Sequence, residues 1–235
     1  MSWTIAEHAD AEALAEACAT RLGAALDEAL RQRGCAVLAA AGGRTAPPIL
    51  RRLAAQPRDW SAVTVAPTDE RWVAAEHPDS NLRALREAFA GAPGLRWQPL
   101  VPPRPQGPAD ATLANTAFTL FDEAFDAVLL GMGGDGHFAS LFPGAPTPAD
   151  ALAADGRADA VAVVPDPLPA SAPHARVSLT LARLLRSRCL LLAASGADKR
   201  AVLRRAAEAG ADPRRWPVAA LLHAPGAPLE IHWSP

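Results

Sequence analysis

The chain has 235 residues, a formal net charge of −2 and a pI near 6.3, and half of its residues are apolar. A net charge this close to zero creates no overall positive potential that would attract nucleic acid or an anionic membrane, so any anion site must be local. No stretch approaches the roughly 18 apolar residues that span a bilayer, and the N-terminus lacks a secretory pattern. We therefore expect a soluble, cytoplasmic protein with neither nucleic acid nor a membrane as its partner.

Alternating apolar patterns predict an α/β fold. A first helix over 10–33 is closed by Gly34, and shorter helical patterns follow at 47–56, 80–89 and 198–210. Apolar runs of strand length lie at 35–40, 62–66, 126–132, 160–164, 176–180, 188–195 and 229–233. The proline- and glycine-rich segment 91–110 predicts an irregular surface connection. We expect one domain over 1–235, with a largely parallel sheet flanked by helices.

Four unusual segments follow predicted strands, at 41–48, 67–73, 131–137 and 195–199. Ligands bind outside the carboxyl ends of the strands in open α/β sheets. The four segments are therefore expected to converge on one site.

The first of these segments, AGGRTAPP, places a glycine pair between a strand and a helix that begins with proline. Its amides and the positive end of the helix suit a phosphate or carboxylate, although a plain tight turn explains the same pattern. The segment is neither GxGxxG nor GxxxxGK[ST], which disfavours dinucleotide and nucleoside triphosphate ligands.

The second segment, TDERWVAAEHPDSN, carries Asp69 and Arg71 directly after a strand. Arg71 is a candidate for bidentate contact with phosphate oxygens. Glu70 and Glu76 are expected to be solvated charges, and Ser80 or Asp79 is expected to cap the next helix.

The third segment begins GMGGDGHFASLFPG, with His137 two positions after Asp135 and glycines on both sides. An imidazole can take a proton from water near neutral pH, and a carboxylate can fix its tautomer, which favours a catalytic interpretation of this pair. The other histidines lack motif-like surroundings and are expected to be structural or surface residues: His8, His77, His174, His223 and His232. Cys18, Cys35 and Cys189 are never spaced as CxxC and predict small buried thiols, with no disulfide and no zinc site.

Two further cations are candidates for ligand contacts. Lys199 lies at the start of a helix, where a cation is unfavourable unless an anion is also present. Arg176 precedes a short strand and is either a surface charge or a second anion contact; its position alone favours a surface charge.

Taken together, GMGGDGHFASLFPG, DERWVAAEHPDSN, RVSLT and the GxDK segment resemble the bacterial 6-phosphogluconolactonase family over nearly the whole chain. The resemblance implies a Rossmann-like fold, shared with glucosamine-6-phosphate deaminases. It also implies hydrolysis of 6-phospho-D-glucono-1,5-lactone in the pentose phosphate pathway, without organic cofactor or metal. We expect this sugar-phosphate lactone as the partner and a monomer or weak homo-oligomer as the state.

Carried over by position, the resemblance makes His137 the general base and Asp135 its carboxylate partner. The positions that match its phosphate and substrate cleft are Gly43, Thr45, Arg71, Arg176 and Lys199. Asp69 is a further candidate for substrate binding or for assisting the proton transfer. Arg44 stands where the family commonly has serine, so a hydroxyl contact is lost there, and an arginine clamp on the phosphate and a solvent-facing side chain both remain open.

Two rival functions remain open at this point. Amino-sugar phosphate isomerases or deaminases resemble the chain, but they carry a catalytic glutamate after DGHxA, where this chain has SLFPG. A non-catalytic sugar-phosphate sensor would usually carry a DNA-binding segment and lose the His–Asp pair, and neither applies here.

Overall fold

The computed structural model describes residues 3–120, 123–145, 150–168 and 173–235. Its helices are α1 (Ala11–Arg33), α2 (Ala46–Ala54), α3 (Asn81–Ala88), α4 (Thr112–Leu120), α5 (Leu181–Leu185), α6 (Ala197–Ala206) and α7 (Pro217–Leu222). Its strands are β1 (Thr4–Glu7), β2 (Ala36–Ala40), β3 (Val63–Pro67), β4 (Asp69–Arg71), β5 (Arg96–Trp97), β6 (Ala127–Gly131), β7 (Ala160–Val163), β8 (Arg176–Leu179), β9 (Leu190–Ser195) and β10 (Leu229–Ser234). The predicted α/β fold is confirmed.

Seven of the strands form one parallel sheet in the order β1-β10-β9-β6-β2-β3-β5. The chain runs outward from β2 to β3 and β5, and then returns to β6 on the other side of β2. The order therefore reverses between β2 and β6, and in open α/β sheets such a reversal marks the ligand-binding position at the carboxyl ends of the strands.

Helices cover both faces of this sheet because successive strand residues point to opposite sides. On one face, Leu129 packs with residues of α1, α2 and α3, such as Leu26. On the other, Val128 and Leu130 pack with α4, α6, α7 and the second sheet. Both faces of the sheet are buried, which accounts for the continuous apolar runs in the sequence.

The ends of two predicted helices are fixed by local hydrogen bonds. Asp10 caps α1 by accepting from the Ala13 amide, and Gly34 ends it with a positive φ of 71°. Ser80 caps α3 by accepting from the Arg83 amide. The predicted cap of α3 and the predicted end of α1 are both confirmed.

Two of the predicted strand segments, 160–164 and 176–180, do not join the parallel sheet. Strands β7 and β8 form a separate antiparallel sheet with β4, in the order β4-β8-β7. Antiparallel neighbours need no crossover helix between them. Arg71 and Arg176 become cross-strand partners in this second sheet.

Segment 91–110 is not wholly irregular, because Arg96 and Trp97 pair in parallel with β3 as strand β5. The edge strand β1 and helices α4, α5 and α7 were not predicted. All four residues of β1 are exposed, so its sequence carries no apolar alternation. Cys18 and Cys189 are buried as expected, but Cys35 is exposed because it lies in the turn that precedes β2.

The expectation that Glu70 is a solvated charge is also wrong, whereas Glu76 is exposed as expected. Glu70 is only 2% exposed. Its carboxylate accepts from the amides of Arg71, Asn81 and Leu82 and from the Ser80 hydroxyl, at 2.7 to 2.9 Å. Burial raises its pKa, and these hydrogen bonds act in the opposite direction. The side chain thus ties β4 to the first turn of α3.

We predict that Glu70→Ala lowers the free energy of unfolding by about 3 kcal/mol. The reason is that the buried Ser80 hydroxyl and the buried amides of Asn81 and Leu82 lose their acceptor. Glu76→Ala is the matched control and should change it by less than about 0.5 kcal/mol. Urea unfolding at neutral pH measures both. Equal effects of the two substitutions would contradict the role given to Glu70.

Candidate active site

The four predicted loops do converge. They follow β9, β6, β2 and β3, which are neighbours in the parallel sheet. Two close approaches link the loops. A β carbon built on Gly134, after β6, would lie 3.4 Å from Oδ2 of Asp198, after β9, and one built on Gly42, after β2, would lie 2.3 Å from Oδ1 of Asn81, at the start of α3.

Asp135 and His137 are in direct contact. Nδ1 of His137 lies 2.6 Å from Oδ1 of Asp135, and the same oxygen accepts from the His137 amide at 3.1 Å. Because an ionised carboxylate can only accept, Nδ1 carries the proton and Nε2 keeps its lone pair. The His137 side chain is 30% exposed, so the ring is open to a small ligand.

The carboxylate of Asp135 is ionised at neutral pH. Partial burial acts to raise its pKa, but the hydrogen bond from the His137 ring, the charge of that ring and its backbone amide hold the pKa below the ordinary value. A negative charge next to Nδ1 stabilises the imidazolium form of the neighbouring ring.

The glycines of this loop make room for the pair. A β carbon at Gly133 would lie 2.3 Å from His137 Cε1 and Nδ1 and 2.5 Å from Asp135 Oδ1, which is closer than real contacts allow. The Gly133 amide also donates to the His137 carbonyl at 2.9 Å, and Gly136 has a positive φ of 80°. The glycines around His137 are therefore needed, on steric grounds, for the hydrogen bond between Asp135 and His137 to form.

An aromatic side chain connects His137 to the arginines of the second sheet. The Phe142 ring centroid lies 4.5 Å from that of His137, and the Arg176 guanidinium lies 5.2 Å from the centre of the Phe142 ring. Arg176 is buried, so the surface charge expected from its position alone is wrong. Arg71 donates to the main-chain oxygen of Asp79, and its Nε has no hydrogen-bond partner within the described residues.

Asp69 lies inside the protein, at the start of β4. Its Oδ2 accepts from the Ser140 hydroxyl at 2.5 Å, and its main-chain oxygen accepts from Nδ2 of Asn81 at 2.7 Å. No hydrogen bond joins it to His137 in the part of the chain that is described. Asp69 thus holds the loop after His137 against β4.

The turn at Gly43, Arg44 and Thr45 leads into α2. Pro47 and Pro48 lack an N–H, and the Ala46 amide donates to the Gly43 carbonyl at 3.1 Å. The donors left at this helix start are the amides of the three turn residues, which make no hydrogen bond to any described residue, and the Thr45 hydroxyl, which does not cap the helix.

Arg44 and Thr45 line a cavity of about 400 Å³ together with residues at the start of α1 and of the loop after β9. Arg44, Thr45, Asp198 and Lys199 all face it. Burial lowers the pKa of Lys199, the charge of Asp198 raises it and the charge of Arg44 lowers it. Arg44 and Lys199 are the two cations of this lining. Neither has a carboxylate within 4 Å across the described ranges. The arrangement suits a dianion such as a phosphate.

The predicted site residues therefore lie in two groups. Arg44, Thr45 and Lys199 line the cavity, and Gly43 belongs to its turn. The others, namely Asp69, Arg71, Asp135, His137 and Arg176, lie along the loop after β6 and the second sheet. Sequence reasoning missed Phe142, Asn81 and Asp198, whose roles depend on contacts between loops.

Asn81 is the most informative of the missed residues. Its Oδ1 is buried without a hydrogen-bond partner in the described structure, and it would lie 2.3 Å from a β carbon at Gly42. Its Nδ2 meanwhile binds the Asp69 carbonyl. Asn81 therefore packs the turn after β2 against β4, and the only signal in the sequence was its place after the Ser80 cap.

Comparison with known proteins gives consistent matches. Residues 9–233 match the family model described as glucosamine-6-phosphate isomerases/6-phosphogluconolactonase. A 6-phosphogluconolactonase of Pseudomonas putida is 39% identical, covering 97% of this chain and 92% of the relative, and one of Rhizobium meliloti is 36% identical over 95% of each. The crystal structure of a 6-phosphogluconolactonase from Shewanella baltica superposes with a TM-score of 0.87 at 32% identity, covering 99% of this chain and 97% of that one.

Proposed function

Because the chain belongs to the glucosamine-6-phosphate isomerase/6-phosphogluconolactonase family, we infer that it hydrolyses 6-phospho-D-glucono-1,5-lactone to 6-phosphogluconate, a step of the pentose phosphate pathway. The observation that carries this conclusion is the hydrogen bond of 2.6 Å between Asp135 and Nδ1 of His137. This hydrogen bond leaves Nε2 of the partly exposed His137 ring free of a proton and able to accept one.

In the first step, Nε2 of His137 removes a proton from a water molecule as that water attacks the lactone carbonyl carbon. The imidazolium that forms is stabilised by the carboxylate of Asp135, which remains ionised during the step. The product of this step is a tetrahedral intermediate with a negative oxygen. General-base assistance of this kind contributes about 10²- to 10⁴-fold.

In the second step, the bond between the carbonyl carbon and the ring oxygen breaks. The imidazolium returns its proton to the departing ring oxygen, which becomes a hydroxyl, and the carbon becomes a carboxylic acid that ionises in water. One water is consumed and His137 is again neutral, so the cycle needs no other reactant.

The phosphate of the substrate occupies the cavity between the Gly43–Thr45 turn and α6. The support is chemical: unpaired amides, a free hydroxyl and the two cations Arg44 and Lys199 meet there. Binding energy at the phosphate holds the ring in place, so the carbonyl carbon stays near His137. Arg44 takes the part of the serine hydroxyl that is common at this position.

Arg71 and Arg176 form a second positive region, and the Phe142 ring is a common neighbour of Arg176 and His137. A developing oxyanion and the carboxylate of the product both suit such a region, as do the amides of the glycine loop. Asp69 serves as a positioning residue here, since its carboxylate is engaged with Ser140.

The isomerase or deaminase alternative receives no support from this site. Ser140 and Leu141 follow Ala139, where those enzymes place a catalytic glutamate, and Ser140 is bonded to Asp69 while Leu141 is buried. No carboxylate is therefore offered from this position.

We also propose that residues 1–235 form one domain that works in the cytoplasm as a monomer or weak homo-oligomer. One hydrophobic cluster contains both Val128 of the parallel sheet and Val177 of the antiparallel sheet, which supports a common core. None of the helices in the described ranges has the length and apolarity to cross a bilayer.

The function is tested by following loss of 6-phosphogluconolactone that is generated in situ from glucose 6-phosphate and its dehydrogenase. The wild-type protein should accelerate hydrolysis strongly, and His137→Gln should lower kcat by about 10²- to 10⁴-fold because the general base is lost. Background rates with the wild-type protein would contradict the function. Full activity of the variant would keep the function but remove His137 from its role.

A second prediction concerns the glycines around the pair. Gly133→Ala should lower kcat by about 10²-fold, because its β carbon displaces the His137 ring. Gly131→Ala is the matched control, since its β carbon would meet nothing within 4 Å, and it should keep nearly full activity. Steady-state kinetics distinguish the two, and equal activity would show that the ring position is not limiting.

A third prediction concerns the cavity. Arg44→Ala should raise KM by about tenfold with little change in kcat, since it removes one charge-assisted contact that is made equally to substrate and transition state. Arg51→Ala, an exposed arginine on α2, should leave both constants unchanged. An unaltered KM in Arg44→Ala would place that side chain in solvent instead of on the phosphate.

A further inference from the structure

Two histidines that are far apart in the sequence lie together outside the His137 loop. His77 is in the turn between β4 and α3, and His174 lies two residues before the start of β8. Asp79 lies between them: its Oδ2 is 2.9 Å from His174 Nε2 and 3.9 Å from His77 Nδ1. One ligand atom from each of the three residues lies within 4.8 Å of the other two.

We propose that His77, Asp79 and His174 form a binding site for a divalent transition-metal ion of the zinc class. Two imidazoles and one carboxylate are a donor set that zinc prefers. Ligand atoms around a tetrahedral zinc are about 3.3 Å apart, given bonds of about 2.0–2.1 Å. The observed separations bracket that spacing, so small side-chain rotations bring all three atoms onto one ion.

The backbone holds this site in shape before any ion arrives. The His77 amide donates to the Ala74 carbonyl at 2.9 Å, and the Ser80 amide donates to the His77 carbonyl at 3.0 Å. Arg71 fixes the main chain at Asp79 by donating to its carbonyl oxygen. His174 is held by the start of β8, which pairs with β4. The two halves of the site therefore come from the segment after β4 and the segment before β8, and these two strands are paired.

The exposure of the three side chains fits a site that opens to solvent. Their exposed fractions are 40% for His77, 34% for Asp79 and 24% for His174. An ion can enter from water and keep a water molecule as its fourth ligand. The His77 and His174 rings meet edge to face, with centroids 5.2 Å apart.

The charges around the site narrow the choice of ion. Arg71 and Arg176 are neighbouring cations, so a bound ion has to overcome their repulsion with a single carboxylate in the ligand set. Calcium and magnesium depend on several oxygen ligands and are disfavoured here. Zinc, in contrast, binds imidazole nitrogen well. At His77 Nδ1 a zinc ion would replace the hydrogen bond that the Asp79 amide now donates at 3.1 Å.

The test is titration of the metal-free protein with zinc, followed by calorimetry, in a Cys35→Ser background that removes the exposed thiol as a competing ligand. One zinc ion per chain is expected, with the dissociation constant raised at least about tenfold by each of His77→Gln, Asp79→Asn and His174→Gln. Cobalt(II) should give the visible absorption of a tetrahedral site in the parent protein and lose it in the same three variants.

Two control variants test whether other histidines bind the zinc instead. His8→Gln breaks the stacked pair of His8 and His232, and His137→Gln removes the ring beside Asp135. Both should bind zinc as the parent does. The proposal is overturned if the parent binds no zinc at micromolar concentrations, if either control abolishes binding, or if any one of the three ligand substitutions leaves the affinity unchanged. Circular dichroism of each variant confirms that it is folded.

Discussion

The hydrogen bond between Asp135 and His137 is the constraint on which the reactive part of the molecule depends. A carboxylate and an imidazole two residues apart can meet only if the backbone turns back on itself, and the chain achieves this with Gly133 and Gly136. The bond then decides which ring nitrogen is protonated. A single local geometry thus fixes both the position and the chemical state of the base.

The rest of the fold places other groups around that pair. The parallel sheet brings the loops after β2, β6 and β9 to one edge, so the cations Arg44 and Lys199 gather at the cavity beside the His137 loop. The small antiparallel sheet adds Arg71 and Arg176 from another direction. Glu70 anchors this sheet to α3 as a buried carboxylate with four donors. The charge that resembles a solvated residue in the sequence is a structural link between two parts of the site.

Much of the parallel sheet could be predicted because its strands are buried on both faces and therefore appear as continuous apolar runs. The convergence of the loops followed from the rule for parallel sheets. Strand β1 could not be predicted, since its exposed residues carry no alternation, and the pairing of β7 and β8 with β4 depends on contacts between distant segments. The same holds for Asn81 and Phe142, which act through neighbours that are remote in sequence. Glu70 was misjudged because charge type alone does not reveal a buried carboxylate with a full set of donors.

The central claim is that Asp135 holds His137 with its proton on Nδ1 and its lone pair on Nε2. The direct measurement is nitrogen-15 NMR of the histidine side chains at a pH where the ring is neutral, with His137 assigned by comparison with His137→Gln. The account predicts the Nδ1–H tautomer for His137 in the wild-type protein and a loss of this preference in Asp135→Asn. A protonated Nε2 in the wild-type protein would contradict it, because the nitrogen facing the substrate would then have no lone pair to accept a proton from water.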